Sequence, residues 1–400
     1  MILKLKMNRK IVIWGDDHHN ALGLLRMLGG RGYDILFLVH KVNKNIATSS
    51  KYCTNYVVVA NIAEGLEYLT RHYEDNVNKA VLLFTADKFS EAANNNYSLL
   101  SKYFYIAGVP KNGGLSEIDD KYTMGVLANE CGIKIPKTYL WPNEDISEAH
   151  LNKSVIKPCS PAFKDFKIKI CNSEKDLLKQ IASLRQCHRY VIQEFISKEA
   201  DGLIYGCRTI EGKTILSGIC IRNRWSDDNC GSFGYISSEI PNSINQDGIR
   251  LFLEKIDFKG LFSVEYAMTS NDSYFYEFNL RNDGTSVLFY NAGANPALTY
   301  VNSCFGLPDD ESAVVRTGKQ YLMNEFWDEF NVNDGIVTKK KWLEEKGKAT
   351  IFFYYDSDDM KPYEIQKSQT NRRRIRRIIA KSLINKIRLK IKNKIKNRNL

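Results

Sequence analysis

The chain has 400 residues, 44% of them hydrophobic and 26% charged, with a formal net charge of +11 at pH 7. That composition supports about two or three globular units and excludes a disordered polymer, and no run of about 18 apolar residues encodes a membrane-spanning helix. The charge is concentrated in a tail: residues 371–400 hold 13 Lys or Arg and no acid, so the other 370 carry a net −2, which argues against a nucleic-acid-binding body.

Before the first strand the start has lysines but no apolar stretch of signal-peptide length, so a cytoplasmic protein is expected. Residues 11–14 form a short apolar run ending at Gly15, followed by a helical pattern through Leu22, Leu25 and Leu28. Residues 35–39, 56–59 and 80–84 read as further strands, with a helix over 62–72 between the last two. Short apolar strands alternating with helices predict a parallel sheet covered on both faces in residues 1–115. Gly15 with Gly23 is not the G-x-G-x-x-G fingerprint, so this unit reads as a Rossmann-like shell without its usual cofactor. His18 and His19, after the first strand, either contact a ligand or line a turn.

A helix is predicted over residues 120–136, with Met124, Leu127, Ala128 and Cys131 on one side, Gly132 ending it and Pro136 blocking continuation. From 154 to about 308 the pattern becomes strands and turns with helices over 174–185 and 248–256, an α+β unit. Residues 310–365 read as a less regular appendage with a β-rich run over 349–355. The nine cysteines are scattered without a C-x-x-C pair, so reduced, mostly buried thiols are expected rather than zinc or disulfides.

Glu265 and the run Glu277-Phe278-Asn279 carry the chemistry. Residues 261–268 and 273–279 are strand-like around a polar turn, and a hairpin centred on Asn271 sets Glu265 opposite Glu277. Side chains alternate, so Asn279 shares their face, while Phe262, Val264 and Tyr266 meet Tyr274, Tyr276 and Phe278 in a core. Opposed carboxylates repel unless a cation lies between them, and an added Asn carbonyl gives three oxygen donors for a hard cation. The bland alternative is a pair of solvated acids on a one-sided sheet. Arg281 follows at once, and its guanidinium can grip phosphate oxygens in two places.

Glu277-Phe278-Asn279-Leu280-Arg281 resembles the E-x-N-x-R strand of ATP-grasp enzymes, and Glu265 sits where they place the other acidic ligand. Asp120-Lys121, Val155-Ile156-Lys157-Pro158 and Val191-Ile192-Gln193-Glu194-Phe195-Ile196 resemble their linker, phosphate-contacting strand and adenine hinge, in the expected order. Gly218-Ile219-Cys220-Ile221-Arg222, followed by Gly231-Ser232, is similar to D-aspartate-ligase-like and surface-polysaccharide members, with Cys220 where a lysine is expected. The resemblance implies an ATP-grasp fold: a Rossmann-like domain over 1–115, an ATP-binding domain of two α+β lobes over 116–310, an appendage over 311–365 and a tail over 366–400.

It implies ATP with Mg²⁺ or Mn²⁺, the metal on Glu265, Glu277 and Asn279. Lys121 and Lys157 would contact phosphates, Gln193, Glu194 and Ile196 the adenine, and Asp201 or Glu199 the ribose. Arg222 and Arg281 would be catalytic, steadying the acyl-phosphate and the transferring phosphates. The implied reaction joins a carboxylate to an amine with release of ADP and phosphate. The rival readings are a kinase-like or thiol-forming variant and an inactive scaffold, the latter favoured by Cys220. Dimers are usual among proteins it resembles.

In the tail, Ile375, Ile379, Leu383, Ile387, Ile391 and Ile395 recur every fourth residue among lysines and arginines. This is the pattern of a basic amphipathic helix suited to an anionic membrane surface, ahead of an acidic partner or a nucleic acid. A ligase lying on the inner face of the membrane fits modification of an envelope glycan or its precursor.

Overall fold

The computed structural model describes residues 9–42, 44–73, 78–146, 150–160, 166–226, 231–309 and 311–372. The tail pattern lies outside them. Among the described residues no helix is long and apolar enough to cross a membrane.

Strands β1 (Lys10–Gly15), β2 (Asp34–His40), β3 (Tyr56–Val59), β4 (Ala80–Phe84) and β5 (Phe104–Ile106) form a parallel sheet in the order β3-β2-β1-β4-β5. Their apolar runs are continuous because helices cover both faces. The order reverses between β1 and β4, which opens a crevice at their carboxyl ends. Helix His19–Leu28 is buried at every position but the first. Helices Ser286–Asn291 and Pro296–Phe305, from far along the chain, pack against it, so it needs apolar residues nearly all round.

A small antiparallel sheet contains β6 (Thr138–Trp141), β7 (Ser154–Pro158), β8 (Lys169–Cys171) and β9 (Tyr190–Glu194). A larger one contains β10 (Ala200–Arg208), β11 (Thr214–Trp225), β12 (Gly231–Ser237), β13 (Gly260–Met268), β14 (Ser273–Asn279) and β15 (Gln320–Met323), in the order β14-β13-β10-β11-β12-β15. The helix after Asp120 runs only Lys121–Glu130; the Asp120 carboxylate caps it, and Gly132 turns the chain away at φ 74°.

Two expectations for the appendage fail. Its β15 joins the large sheet, and the run over 349–355 contributes only an isolated parallel bridge, Ile351 to Leu322, in place of a strand. Beyond that bridge the amides turn to one side chain: the Glu325 carboxylate accepts from Phe353, Tyr354 and Tyr355 at 3.1, 2.6 and 2.9 Å. Further on, the Asp359 carboxylate accepts from Arg26 Nε at 3.0 Å and Ser50 Oγ at 2.7 Å. A helix over 361–372 follows.

A buried amide pair joins the sheets across the interface. Asn282, just past β14, donates through Nδ2 to Asn20 and to Ser286 Oγ, while its Oδ1 accepts from the Tyr205 hydroxyl at 2.5 Å. Asn20 Nδ2 returns to the carbonyls of Thr85 and Asn282 at 2.9 and 3.1 Å. Asn282→Ala orphans the Tyr205 hydroxyl and the Asn20 amide in a dry interface and is expected to cost about 2–4 kcal/mol, measured by chemical denaturation. A loss within experimental error would show that the amides find other partners.

Candidate active site

In the large sheet, hydrogen-bonded register decides which side chains meet. Glu265 pairs directly with Glu277, and the same row continues through Leu203 and Cys220 to Ile236. Ser263 pairs with Asn279, two residues along the same face, and Asp201 pairs with Arg222. Sheet pleating thus puts Glu265, Glu277, Asn279, Asp201 and Arg222 on one surface.

The hairpin departs from the expected register by one residue. After Glu265 the partner of Tyr266 is Phe275, so Tyr276 is a bulge. The core on the far face is therefore built with Phe275, not Tyr274 or Tyr276, against Tyr266 and Phe278. Tyr276 is freed for the cleft, where its ring lies 5.2 Å from Lys157 Nζ and 5.8 Å from Lys198 Nζ.

The acidic pair is held ready for a cation. Burial, then the charges of Glu277 and Asp283, push Glu265 up to about 7 against the opposing pull of Arg222. Lys121 Nζ lies 2.9 Å from Glu277 Oε2, so a cation already sits on one member. Asn279 Nδ2 donates to Ser263 Oγ at 3.1 Å and to Glu265 Oε1 at 3.4 Å, and its Oδ1 accepts from Arg281 Nη2 at 2.9 Å. Among the described residues no group of three or more His, Cys, Asp or Glu is arranged for a metal. Two carboxylates and an amide oxygen on one face nevertheless fit a hard cation.

The small sheet faces this surface with Lys157, whose Nζ donates to Gln193 Oε1 at 3.1 Å; Gln193 Nε2 in turn donates to Thr138 Oγ1 at 3.0 Å. Burial, then neighbouring Lys121, lowers Lys157 to about 8, the condition of an ammonium short of anionic partners. Along the hinge the Glu194 amide is spent on the Lys137 carbonyl at 2.9 Å and that of Phe195 on Lys153 at 3.0 Å. Ile196 is the next amide and is half-buried. Asp201 faces the cleft, held by Lys198 Nζ at 2.5 Å and by the Trp225 indole N–H, while Glu199 is exposed.

Arg281 lies closer to the N-terminal unit than expected: Nε donates to Asp87 Oδ1 at 2.8 Å, and Nη1 is 3.6 Å from Asp283. It lines a cavity of about 530 Å³ at the β1/β4 crevice, with His18, His19, His40, Lys44 and Lys88. His18 is lowered to about 4 and His19 well below its ordinary value, both chiefly by burial, so both are neutral at pH 7. Gly284 leaves room for His19 here, since a Cβ would fall 2.7 Å from His19 Nε2. Cys220 is fully buried, its thiol pushed up to about 12 by burial; it belongs to the core. Arg222 points its buried Nε at no partner among the described residues, and Gly231 makes room for its stem, a Cβ there falling 2.1 Å from Cδ.

Sequence reading missed Tyr276, because a one-residue bulge leaves no trace in composition. It missed Lys198 and Trp225, which reach Asp201 only through register. Asp283 was legible as part of the polar run after Arg281; its carboxylate is held by Thr285 and Ser263.

No protein-family model matches the chain, and no curated protein matches it in sequence. Solved structures do match in shape. N5-carboxyaminoimidazole synthetase from Staphylococcus aureus superposes with a TM-score of 0.63 at 13% identity, over 92% of this chain and 98% of that one. The Aspergillus clavatus enzyme, solved with ADP and 5-aminoimidazole ribonucleotide, gives 0.60 at 13% identity, over 80% and 83%. An L-amino acid ligase from Bacillus licheniformis gives 0.54 at 11% identity, over 74% of each chain. These proteins have the ATP-grasp fold, and so does this chain.

Because its folded-state pKa lies above that of a free carboxyl, Glu265 stabilises the metal-free fold fully at acid pH. That contribution is lost as pH rises through about 7. In the presence of a chelator, Glu265→Gln is therefore expected to melt above the parent at about pH 8, with the difference closing toward about pH 5. Equal melting temperatures across that range would show that the opposed charges impose no strain.

Proposed function

We propose that the protein is an ATP-dependent carboxylate–amine ligase, with Mg²⁺ or Mn²⁺ held by Glu265, Glu277 and Asn279. The observation that carries this reading is the opposed Glu265–Glu277 pair facing Lys121 and Lys157 across a cleft between two antiparallel sheets. It is supported by the fold of ligases whose structures hold ADP. ATP supplies the phosphoryl group that makes a carboxylate reactive, and the metal offsets charge on the phosphates.

The chain's own residues position and screen. Lys157 and Lys121 bring ammonium charge to the phosphates; Gln193, Glu194 and Ile196 flank the adenine; Asp201 receives the ribose hydroxyls with Lys198 beside it. Arg222 and Arg281 hold the anionic oxygens of the reacting groups. A carboxylate oxygen bonds to the γ-phosphorus as ADP leaves; the amine nitrogen then bonds to the acyl carbon as phosphate leaves and a proton is released. No enzyme nucleophile is needed. An inactive scaffold draws its support only from Cys220, a residue of the core.

We further assign it to the D-aspartate-ligase-like group, acting on an envelope glycan or its precursor with an amino acid or amine as partner, as a cytoplasmic protein on the inner face of the membrane and a homodimer. The tail's regular isoleucines among lysines and arginines support the membrane assignment, and Gln369, near its start, lines a cavity beside the cleft.

ADP release with Mg²⁺ and ATP, assayed across pooled amino acids and sugar acids, is expected to be stimulated by one pool and to fall about a hundredfold or more in Glu277→Gln. No nucleotide binding would reduce the assignment to a shape without its chemistry. For the tail, deleting residues 371–400 is expected to abolish co-sedimentation with anionic vesicles, and an unchanged distribution would end the membrane assignment.

A further inference from the structure

A second chamber, of about 410 Å³, opens beside Glu265 and Arg222. Three distant parts of the chain build it: the large sheet, the turn carrying His18 and His19, and the appendage after β15. Its charge is lopsided. Arg222 brings a guanidinium whose buried Nε has no partner among the described residues, the group best shaped to grip a carboxylate. Of the acids nearby, Asp283 accepts from Ser263 and from Thr285, and Glu265 faces Glu277 and accepts from Asn279 Nδ2 at 3.4 Å. A neutral body with one carboxylate would be matched by Arg222, with Lys44 also lining the chamber.

The opposite wall fits such a body. Phe353 and Tyr354 stand against His19, with ring centroids 5.7 and 6.0 Å away. Their backbone is pinned by the Glu325 carboxylate and by Arg26 Nη2, which donates to the Tyr354 carbonyl at 2.9 Å. Amides frame these rings. Asn324 spends its Oδ1 on the amides of Phe326 and Trp327, leaving its NH₂ as donor; Gln369 spends its Nε2 on the Lys44 carbonyl at 2.7 Å, leaving its Oε1 as acceptor. Pinned aromatic faces edged by a neutral donor and a neutral acceptor suit a ring with apolar C–H faces and hydroxyls at its rim.

We propose that this chamber receives the carboxylate substrate as a sugar acid. The carboxylate lies at Arg222, the ring on Phe353 and Tyr354, and the hydroxyls at Asn324 and Gln369. The proposal rests on the ligase reading of the neighbouring cleft and adds which substrate carries the acid. The appendage thereby becomes the element that selects the substrate, since it supplies the aromatic and amide wall.

The test is calorimetric titration of the full chain with D-glucuronate, D-galacturonate, glucose, glutarate and, separately, ADP. A uronate is expected to bind, with glucose and glutarate weaker by about tenfold or more. Asn324→Asp keeps the acceptor that caps Phe326 and Trp327 but replaces the donor with an anion. It is expected to weaken the uronate by about tenfold or more, with ADP affinity and melting temperature unchanged. Gln369→Leu should weaken it as well. Glutarate binding as well as the uronates, uronate affinity unchanged in Asn324→Asp, or no uronate binding while ADP binds would each overturn the sugar assignment and leave the ligase standing. Failure of ADP to bind removes the ligase reading and the proposal with it.

Discussion

Two carboxylates face each other across neighbouring strands, and much of the cleft is arranged around that repulsion. Like charges in register destabilise a sheet, and partial burial makes the conflict worse by penalising the charged form. The surroundings answer with cations and donors. Lys121 takes one carboxylate, Asn279 donates to the other, and Arg281 orients Asn279 while pairing with Asp87 on the first domain. Glu265, pushed up to about 7, is poised to gain from a divalent ion, because metal and ionised carboxylates stabilise each other.

The same strand end holds the molecule together. Arg281, Asn282 and Asp283 follow the site's last residues directly, and each acts across or along the interface: Arg281 to Asp87, Asn282 to Asn20 and Tyr205, Asp283 to Ser263 and Thr285. Chemistry and interface are therefore coupled over three residues. A shift of the N-terminal domain would move Asn279 through Arg281, so the cleft's geometry depends on a packed interface rather than on one lobe alone.

The appendage shows how a side chain can replace a strand. Residues 349–355 have a β-rich composition, yet the Glu325 carboxylate takes three consecutive amides and confines pairing with β15 to the single Ile351 bridge. The result is a fixed aromatic wall, anchored to helix His19–Leu28 through Arg26 and Asp359. Buried polar groups must be paired, and here the pairing chooses the conformation.

Sequence alone determined the alternating strands of the first sheet, the presence of a helix after Asp120 and the opposition of Glu265 to Glu277. Each rests on local periodicity or on a short hairpin, where contacts lie close along the chain. Tertiary structure decided the bulge that turns Tyr276 toward Lys157, the Lys198 and Trp225 contacts of Asp201, and the burial of Cys220. It also decided that Arg281 reaches toward Asp87 and that the appendage closes a chamber over Arg222. These depend on register between distant strands and on carboxylates choosing among competing donors. A hydrogen bond between residues hundreds of positions apart leaves no periodic mark, so its existence follows from packing and not from pattern.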